Sequence, residues 1–440
     1  MGRRLGLSLL ALGTGVALLV SAAFAGPHSD TRRGGTLRVM FGAEPDSVDP
    51  ALATGNVGSW TLLYATCAKL FNTLPDPDTG RRRIAPELVR SFDVSNDGRT
   101  YTFELKRTFR FHNRMPVTAQ SFADAFNRNA NPKLNSMVRR RGFLQEIVGA
   151  NAALRGRART ISGVQVLGRY RLRVRLSRRA GDFVARLTMP SFCPILPGTS
   201  SDPAEMDRPP GSGPYYIADR VPNRRIVLER NPYYGGSRTA NPDRIVWTIE
   251  PRPAERLRAT ERDENDFAGV FAVQDDVVRN LEARYGLNRP GGQFLRLPSL
   301  TNYLFVFNPD RPAFKGTAQA PLRKAINYAL DRPALIKAHG YLETRKSERL
   351  LPASLSASRR VYPLDGPDLA TARRWRARAK LRPQKLTLYT ANFPFSIATA
   401  RVFSSNLLPL GIEVDVKAFD FITLLEKLRR RTQGEPFDVA

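Results

Sequence analysis

The stretch from Leu386 onward constrains the fold most. Leu386–Thr390 reads as a strand, Ile397–Leu408 as a helix, Ile412–Val416 as a strand and Phe421–Arg431 as a helix. Phe437-Asp438-Val439-Ala440 then has the apolar alternation of another strand. Strand and helix periods that alternate in this way predict a parallel or mixed sheet covered by helices, the α/β class. About five or six residues is usual for a strand, so a chain that stops within 437–440 reads as truncated.

Other segments add local structure. Thr36–Phe41 is strand-like, and Glu44-Pro45-Asp46-Ser47-Val48-Asp49-Pro50 enforces a loop. Residues 59–71 carry apolar side chains at helical spacing. Phe92 and Val94 alternate with polar residues, Asn96-Asp97-Gly98 makes a turn, and Tyr101, Phe103 and Leu105 resume the alternation, which predicts a β-hairpin. Thr118 follows Pro116 and is placed to cap a helix with Phe122, Ala125 and Phe126 on one face. Tyr170, Leu172, Val174 and Leu176 interleave with Arg169, Arg171, Arg173 and Arg175, so one strand face is apolar and the other guanidinium. Short strands are expected at Arg225–Glu229 and Arg244–Ile249, a buried strand at Asn302–Asn308, and a helix opened by Pro321.

The N-terminus indicates export. Arg3 and Arg4 precede an apolar run from Leu5 to Val20, and Ala23-Phe24-Ala25 supplies an A-x-A site, so cleavage is expected after Ala25. The alternative is a retained anchor, although the run is short for a bilayer span. No cysteine stands at the cleavage point to carry a lipid. The mature chain is expected to be periplasmic or extracellular. There an even pair, Cys67 and Cys193, is compatible with one disulfide and equally with two buried thiols.

The 440 residues are too many for one core, so two or three lobes are expected. The net charge is +29, and 58 of the 69 basic residues are Arg. They are scattered through every segment, which favours solvated faces over a specific nucleic-acid site. Catalytic constellations are missing. His28, His112 and His339 are dispersed, two cysteines cannot build a clustered Cys/His metal site, and no P-loop, G-x-S-x-G or H-E-x-x-H motif occurs. Neither an enzyme nor a cofactor nor a metal is expected.

Several segments together resemble one family. Ala85-Pro86-Glu87-Leu88, Ser95 to Phe103, Phe111-His112-Asn113 and Pro116-Val117-Thr118-Ala119 are similar to the signature of the extracellular solute-binding proteins of family 5, the oligopeptide and dipeptide receptors of ABC importers. Gly34-Gly35-Thr36-Leu37, Asp49-Pro50, Gly211 to Tyr215, Arg230 to Tyr234 and Leu322 to Asp331 support it. Asn113-Arg114 departs from the family's Asp-Gly after Phe-His.

The resemblance implies a two-lobed periplasmic-binding-protein-like clamp, type II and of the large peptide-binding class, with an inserted subdomain and an incomplete second lobe. It places a discontinuous first lobe at 34–60 and 180–265, the insert at 61–180, and a truncated second lobe at 270–440. A monomer that binds a peptide and hands it to ABC permease subunits is implied. Alternatives are a non-peptide solute on the same fold, or an adhesion or enzyme role using the basic surface. By similarity, Thr54, Gly55 and Asn56 line the ligand cleft and Arg431 approaches the ligand. Phe419 and Phe421 at a strand-to-helix junction, and Tyr303 and Asn308 flanking the strand at 302–308, are further candidate contacts. The Gly211–Tyr215 turn is expected to shape the lobe, and His112 to stabilise a turn.

Overall fold

A computed structural model describes residues 33–53, 57–75, 82–134, 136–202, 205–269, 275–296, 303–340 and 366–440. The proposed signal segment and Thr54, Gly55 and Asn56 lie outside the described residues. The chain divides into two compact units, 1–270 and 271–440.

The first unit holds a five-stranded sheet in the spatial order Phe267–Ala268, Thr36–Phe41, Arg244–Ile249, Arg225–Arg230, Tyr215–Val221. Thr36–Phe41 runs parallel to Arg244–Ile249, and the two following pairings are antiparallel. The rings of Phe41 and Trp247 stack at 4.1 Å over a core that includes Val39, Leu62, Ile217, Ile226 and Leu228.

A second sheet in the same unit is antiparallel, in the order Val89–Val94, Thr100–Leu105, Arg171–Arg175, Val164–Gly168. Its turn works as the Asn-Asp-Gly sequence predicts, with Gly98 at φ +66°, a conformation that costs a residue without Cβ little. Phe103, Leu172 and Val174 are fully buried beneath the helix Ala119–Ala130, which contributes Phe122 and Phe126. Ser121 Oγ at the third helical position accepts the Thr118 N–H at 3.3 Å, so an orphan donor at the helix start is satisfied. Phe183, Leu187 and Phe192 join this core, so its packing extends past residue 180.

Two expectations are corrected here. The helix of 59–71 spans Val57–Thr66, and Phe71 opens the strand Phe71–Pro75 instead. The helix stops because Gly213 packs its backbone against Ala65–Cys67, where a Cβ would lie 2.5 Å from Cys67 N. Ser212 Oγ then accepts the Ala68 N–H at 3.0 Å. Only glycine permits so close an approach, and the Gly211–Tyr215 segment shapes the lobe in this way. The segment 303–308 is not a buried strand. It is extended, and among the described residues it pairs at an isolated antiparallel bridge, Phe307 to Val439. Phe305 and Phe307 face the core, while Tyr303, Leu304 and Val306 are exposed, as an edge segment with one wet face requires.

His112 links the hairpin to the five-stranded sheet. Its Nδ1 accepts the Gly211 N–H at 3.2 Å, and its ring stacks on Tyr216 at 4.3 Å. The following turn survives without Asp-Gly: Arg114 takes φ +71° and donates from Nε to the Tyr233 hydroxyl at 2.8 Å.

Beside Cys67 lies a buried polar cluster. Glu87 accepts from Lys69 N–H, Asn72 Nδ2, the Tyr234 hydroxyl and Arg238 Nε, at 2.7–3.1 Å. Lys69 is 1% exposed, and burial pushes its ammonium down to about 8 against the partial compensation of Glu87. Below that pH the folded and unfolded chains both hold the proton. Between about 8 and 10.5 the folded chain has released it and the unfolded chain has not, so stability rises with pH across that window. Tyr234, pushed up to about 12 mainly by burial, keeps its proton throughout. Thermal melts from pH 7 to 10 are expected to show this rise in the parent and its loss in Lys69→Met; identical pH slopes would refute it.

In the second unit, Lys385–Ala391 and Glu413–Phe419 form a parallel pair. Helices Ala320–Ala329 and Pro394–Leu407 contribute Leu322, Ile326 and Phe403 to the core over it. Val439 is fully buried, bridged in parallel to Leu388 and antiparallel to Phe307. The final residues thus lie between the strand Lys385–Ala391 and the segment at 305–308.

Candidate functional site

Ligands of open α/β sheets bind at the carboxyl ends of the strands. In the second unit those ends are Tyr389–Ala391 and Phe419, and Phe437 and the helix Phe421–Arg429 arrive beside them. Asp420 caps that helix, its carboxylate accepting the Thr423 N–H at 3.0 Å. Lys427 thereby lies 5.0 Å from the Phe419 ring and 5.7 Å from that of Tyr389. The Phe419 and Tyr389 rings meet edge-on at 4.9 Å, and Phe437 lies 5.5 Å from Tyr389.

Glu435 completes the cluster. One of its oxygens accepts both the Tyr389 hydroxyl at 2.9 Å and Lys427 Nζ at 3.0 Å. The Lys427 hydrogen bond holds the Glu435 carboxyl below the ordinary carboxylate range. Burial first, and the bond to Glu435 second, push the Tyr389 phenol up to about 12. At neutral pH Tyr389 therefore stands as a phenol and Glu435 as a carboxylate, beside Lys427 and among aromatic walls. A second aromatic run adjoins it: Tyr303 and His339 at 4.1 Å, His339 and Phe395 at 4.7 Å, Phe395 and Phe393 at 5.5 Å. Phe393 packs against the Tyr389 cluster.

The expected residues distribute as follows. Phe419 stands in the cluster and Tyr303 at the outer end of the aromatic run. Phe421 opens the last α-helix. Arg431 pairs with Asp310 at 2.9 Å, and Asn308 Oδ1 accepts the Asp310 N–H at 3.1 Å. Asn308 is buried, its amide donating to the Phe437 carbonyl at 2.9 Å, so it braces the final residues. Tyr389, Phe393, Phe395, Lys427, Glu435 and His339 were not singled out from the sequence. The one signal for them was position, since Tyr389 lies near the end of the strand Leu386–Thr390 and Phe393 and Phe395 lie within five residues after it.

In the first unit, Cys67 Sγ and Cys193 Sγ are bonded, with Cα atoms 5.9 Å apart. Among the described residues no group of His, Cys, Asp and Glu could hold a metal, and no helix is long and apolar enough to cross a membrane.

A family model of the bacterial extracellular solute-binding proteins, family 5 (middle region), matches residues 83–439. The chain belongs to that family. Among curated relatives, the periplasmic murein peptide-binding protein MppA of Escherichia coli is 27% identical over 293 residues, 66% of this chain and 51% of the relative. The probable D,D-dipeptide-binding periplasmic protein DdpA of Escherichia coli is 24% identical over 88% of this chain and 70% of the relative. The dipeptide-binding protein DppE of Bacillus subtilis is 26% identical over 84% and 64%. The chain thus spans about half to seven-tenths of the length of these proteins. Of solved structures, clavulanic acid biosynthesis oligopeptide binding protein 2 superposes with a TM-score of 0.77 at 24% identity, over 93% of this chain and 76% of that one. The MppA structure gives 0.74 at 22% identity, over 93% and 78%. The likeness shows the fold, a bilobed α/β fold of the periplasmic-binding-protein type.

Proposed function

We propose that the chain is the extracytoplasmic receptor of an ABC importer, taking up a small peptide and delivering it to permease subunits, without catalysing a reaction. The observation that carries this reading is the family match over 83–439, joined to a cluster at the strand ends whose chemistry suits a peptide. Tyr303 and the half-buried Phe419 offer aromatic surface to apolar side chains, and the Lys427–Glu435 pair beside them gives the strand ends a polar wall. Relatives named for murein peptide, D,D-dipeptide and dipeptide binding support the ligand class. Thr54, Gly55, Asn56, Phe421 and Arg431 are proposed as further ligand contacts. Export with cleavage after Ala25, the lobes at 34–60 with 180–265 and at 270–440, the insert at 61–180, and a monomeric state belong to the same proposal. A second reading, a non-peptide solute, is favoured by relatives named as haem-binding protein A of Haemophilus influenzae and a nickel-binding periplasmic protein of Escherichia coli, each 25% identical.

Titration calorimetry with di- to pentapeptides, haem and nickel separates the two readings. Peptide binding is expected, and Tyr303→Ala is expected to weaken it by roughly tenfold, the loss of one aromatic contact. Because Tyr303 is 57% exposed, its removal leaves the melting temperature nearly unchanged. Saturable binding of haem or nickel with no peptide binding would establish the second reading.

A further inference from the structure

The four-stranded sheet of the first unit has one face in the core and one in solvent. Arg171, Arg173 and Arg175 alternate with buried Leu172 and Val174, so the three guanidinium stems leave the solvent face about 7 Å apart. Their neighbours across the sheet are Glu104, Thr102 and Thr100 on one side, with Gln165 opposite Arg173 on the other. Glu104 is the single acid among these neighbours, and Arg171 engages it at 2.8 Å. Arg173 and Arg175 have no carboxylate partner among the described residues; Arg173 is half-buried, and its buried Nε makes no hydrogen bond. At one end of the row Arg107 and Arg169 each lie 5.7 Å from the Tyr170 ring, which leaves their charge uncancelled.

Five other arginines of the first unit are matched. Arg38, Arg128, Arg186, Arg220 and Arg238 each hold a carboxylate at 2.7–2.8 Å. The sheet face is where part of the +29 charge stands unmatched and ordered on a rigid surface. Guanidinium groups bind phosphate through paired N–H donors. Arg171, Arg173 and Arg175 form one row, and Arg107 and Arg169, from the segments after Thr100–Leu105 and before Arg171, widen it at one end into a patch that a bilayer surface of phosphates can cover.

We propose that this arginine face docks on a bilayer surface rich in anionic phospholipid, holding the protein beside the membrane. Attraction of this kind grows with each cation near the surface and weakens with salt.

The test is sedimentation of the full chain with vesicles of phosphatidylglycerol and phosphatidylcholine (3:7), and with phosphatidylcholine alone. The apolar segment at 5–20 meets both vesicle types, so the difference between them reads the charge. Binding to the anionic vesicles is expected to exceed the neutral control at least tenfold and to fall with salt. The variant R171Q/R173Q/R175Q is expected to lose roughly a hundredfold in partitioning, at about fivefold per arginine. R373Q/R374Q/R378Q, which removes the same charge from the second unit, is expected to lose less than threefold. On the unmutated chain, anionic vesicles should protect Arg171, Arg173 and Arg175 from phenylglyoxal, read by mass spectrometry, which keeps the test valid if a variant fails to fold. Equal losses in the two variants, no preference for anionic vesicles, or no protection would each overturn the proposal. So would duplex DNA at matched phosphate concentration, if it protects the same arginines as well as the vesicles do.

Discussion

Replacing Cys67 and Cys193 with Ser is expected to lower the stability of the first unit by about 2–5 kcal/mol. The bond closes a loop across a sequence separation of 126 residues. In the chain-entropy picture, a loop on the order of 100 residues confines the unfolded ensemble by roughly 4.7 kcal/mol. Both cysteines are buried, and Cys67 sits where the backbone turns from helix to strand against Gly213. Reduction therefore loosens the junction between the helix Val57–Thr66 and the Pro-rich segment after Cys193. Denaturant melts of the parent with and without reductant, beside the double variant, measure this. Equal midpoints, or two titratable thiols in the denatured, unreduced chain, would refute it.

Arg128→Ala is expected to cost a similar amount, about 3–5 kcal/mol, because it strands a buried carboxylate. Arg128 donates to both oxygens of Asp49 at 2.8 and 2.7 Å and from Nε to the Ser200 carbonyl at 2.7 Å. The two side chains are 5% and 2% exposed. Asp49 in turn accepts the Ala51 N–H at 2.9 Å, so the pair fastens the loop after Pro45 to the end of the helix Ala119–Ala130. Adding Asp49→Asn to Arg128→Ala removes the stranded charge and is expected to recover part of the loss. If the double variant is no more stable than Arg128→Ala, uncompensated charge is not the cause.

Features set by neighbours in sequence were legible beforehand. The hairpin turn at Asn96–Gly98, the cap region at Thr118 and the strand Arg244–Ile249 follow from turn chemistry, capping and alternation. Features set by distant partners were not. The apolar run at 303–308 looks like a buried strand, but burial depends on whether a second layer covers its outer face, which a local pattern does not encode. The spacing of 59–71 is helical throughout, yet the backbone of Gly213 ends the helix early. Pairing of the two cysteines stayed open because composition allowed both outcomes. At the candidate site, Phe419 and Tyr303 were visible as aromatics beside strands. Tyr389, Lys427 and Glu435 were not, since they come from a strand, a helix and a loop and acquire meaning only through one shared carboxylate oxygen.

The parallel pairing of Thr36–Phe41 with Arg244–Ile249 has a consequence for biosynthesis. Asp243, just before the second of these strands, is 208 residues from its hydrogen-bond partner Gly35. At ribosomal rates of about 5–20 residues per second, the first strand waits on the order of 10–40 s before its partner exists. Contacts of such high order also form slowly once the chain is complete, because loop closure precedes any gain from pairing. During that interval the five-stranded sheet cannot close, and Thr36–Phe41 lacks the strand that it pairs with along its whole length.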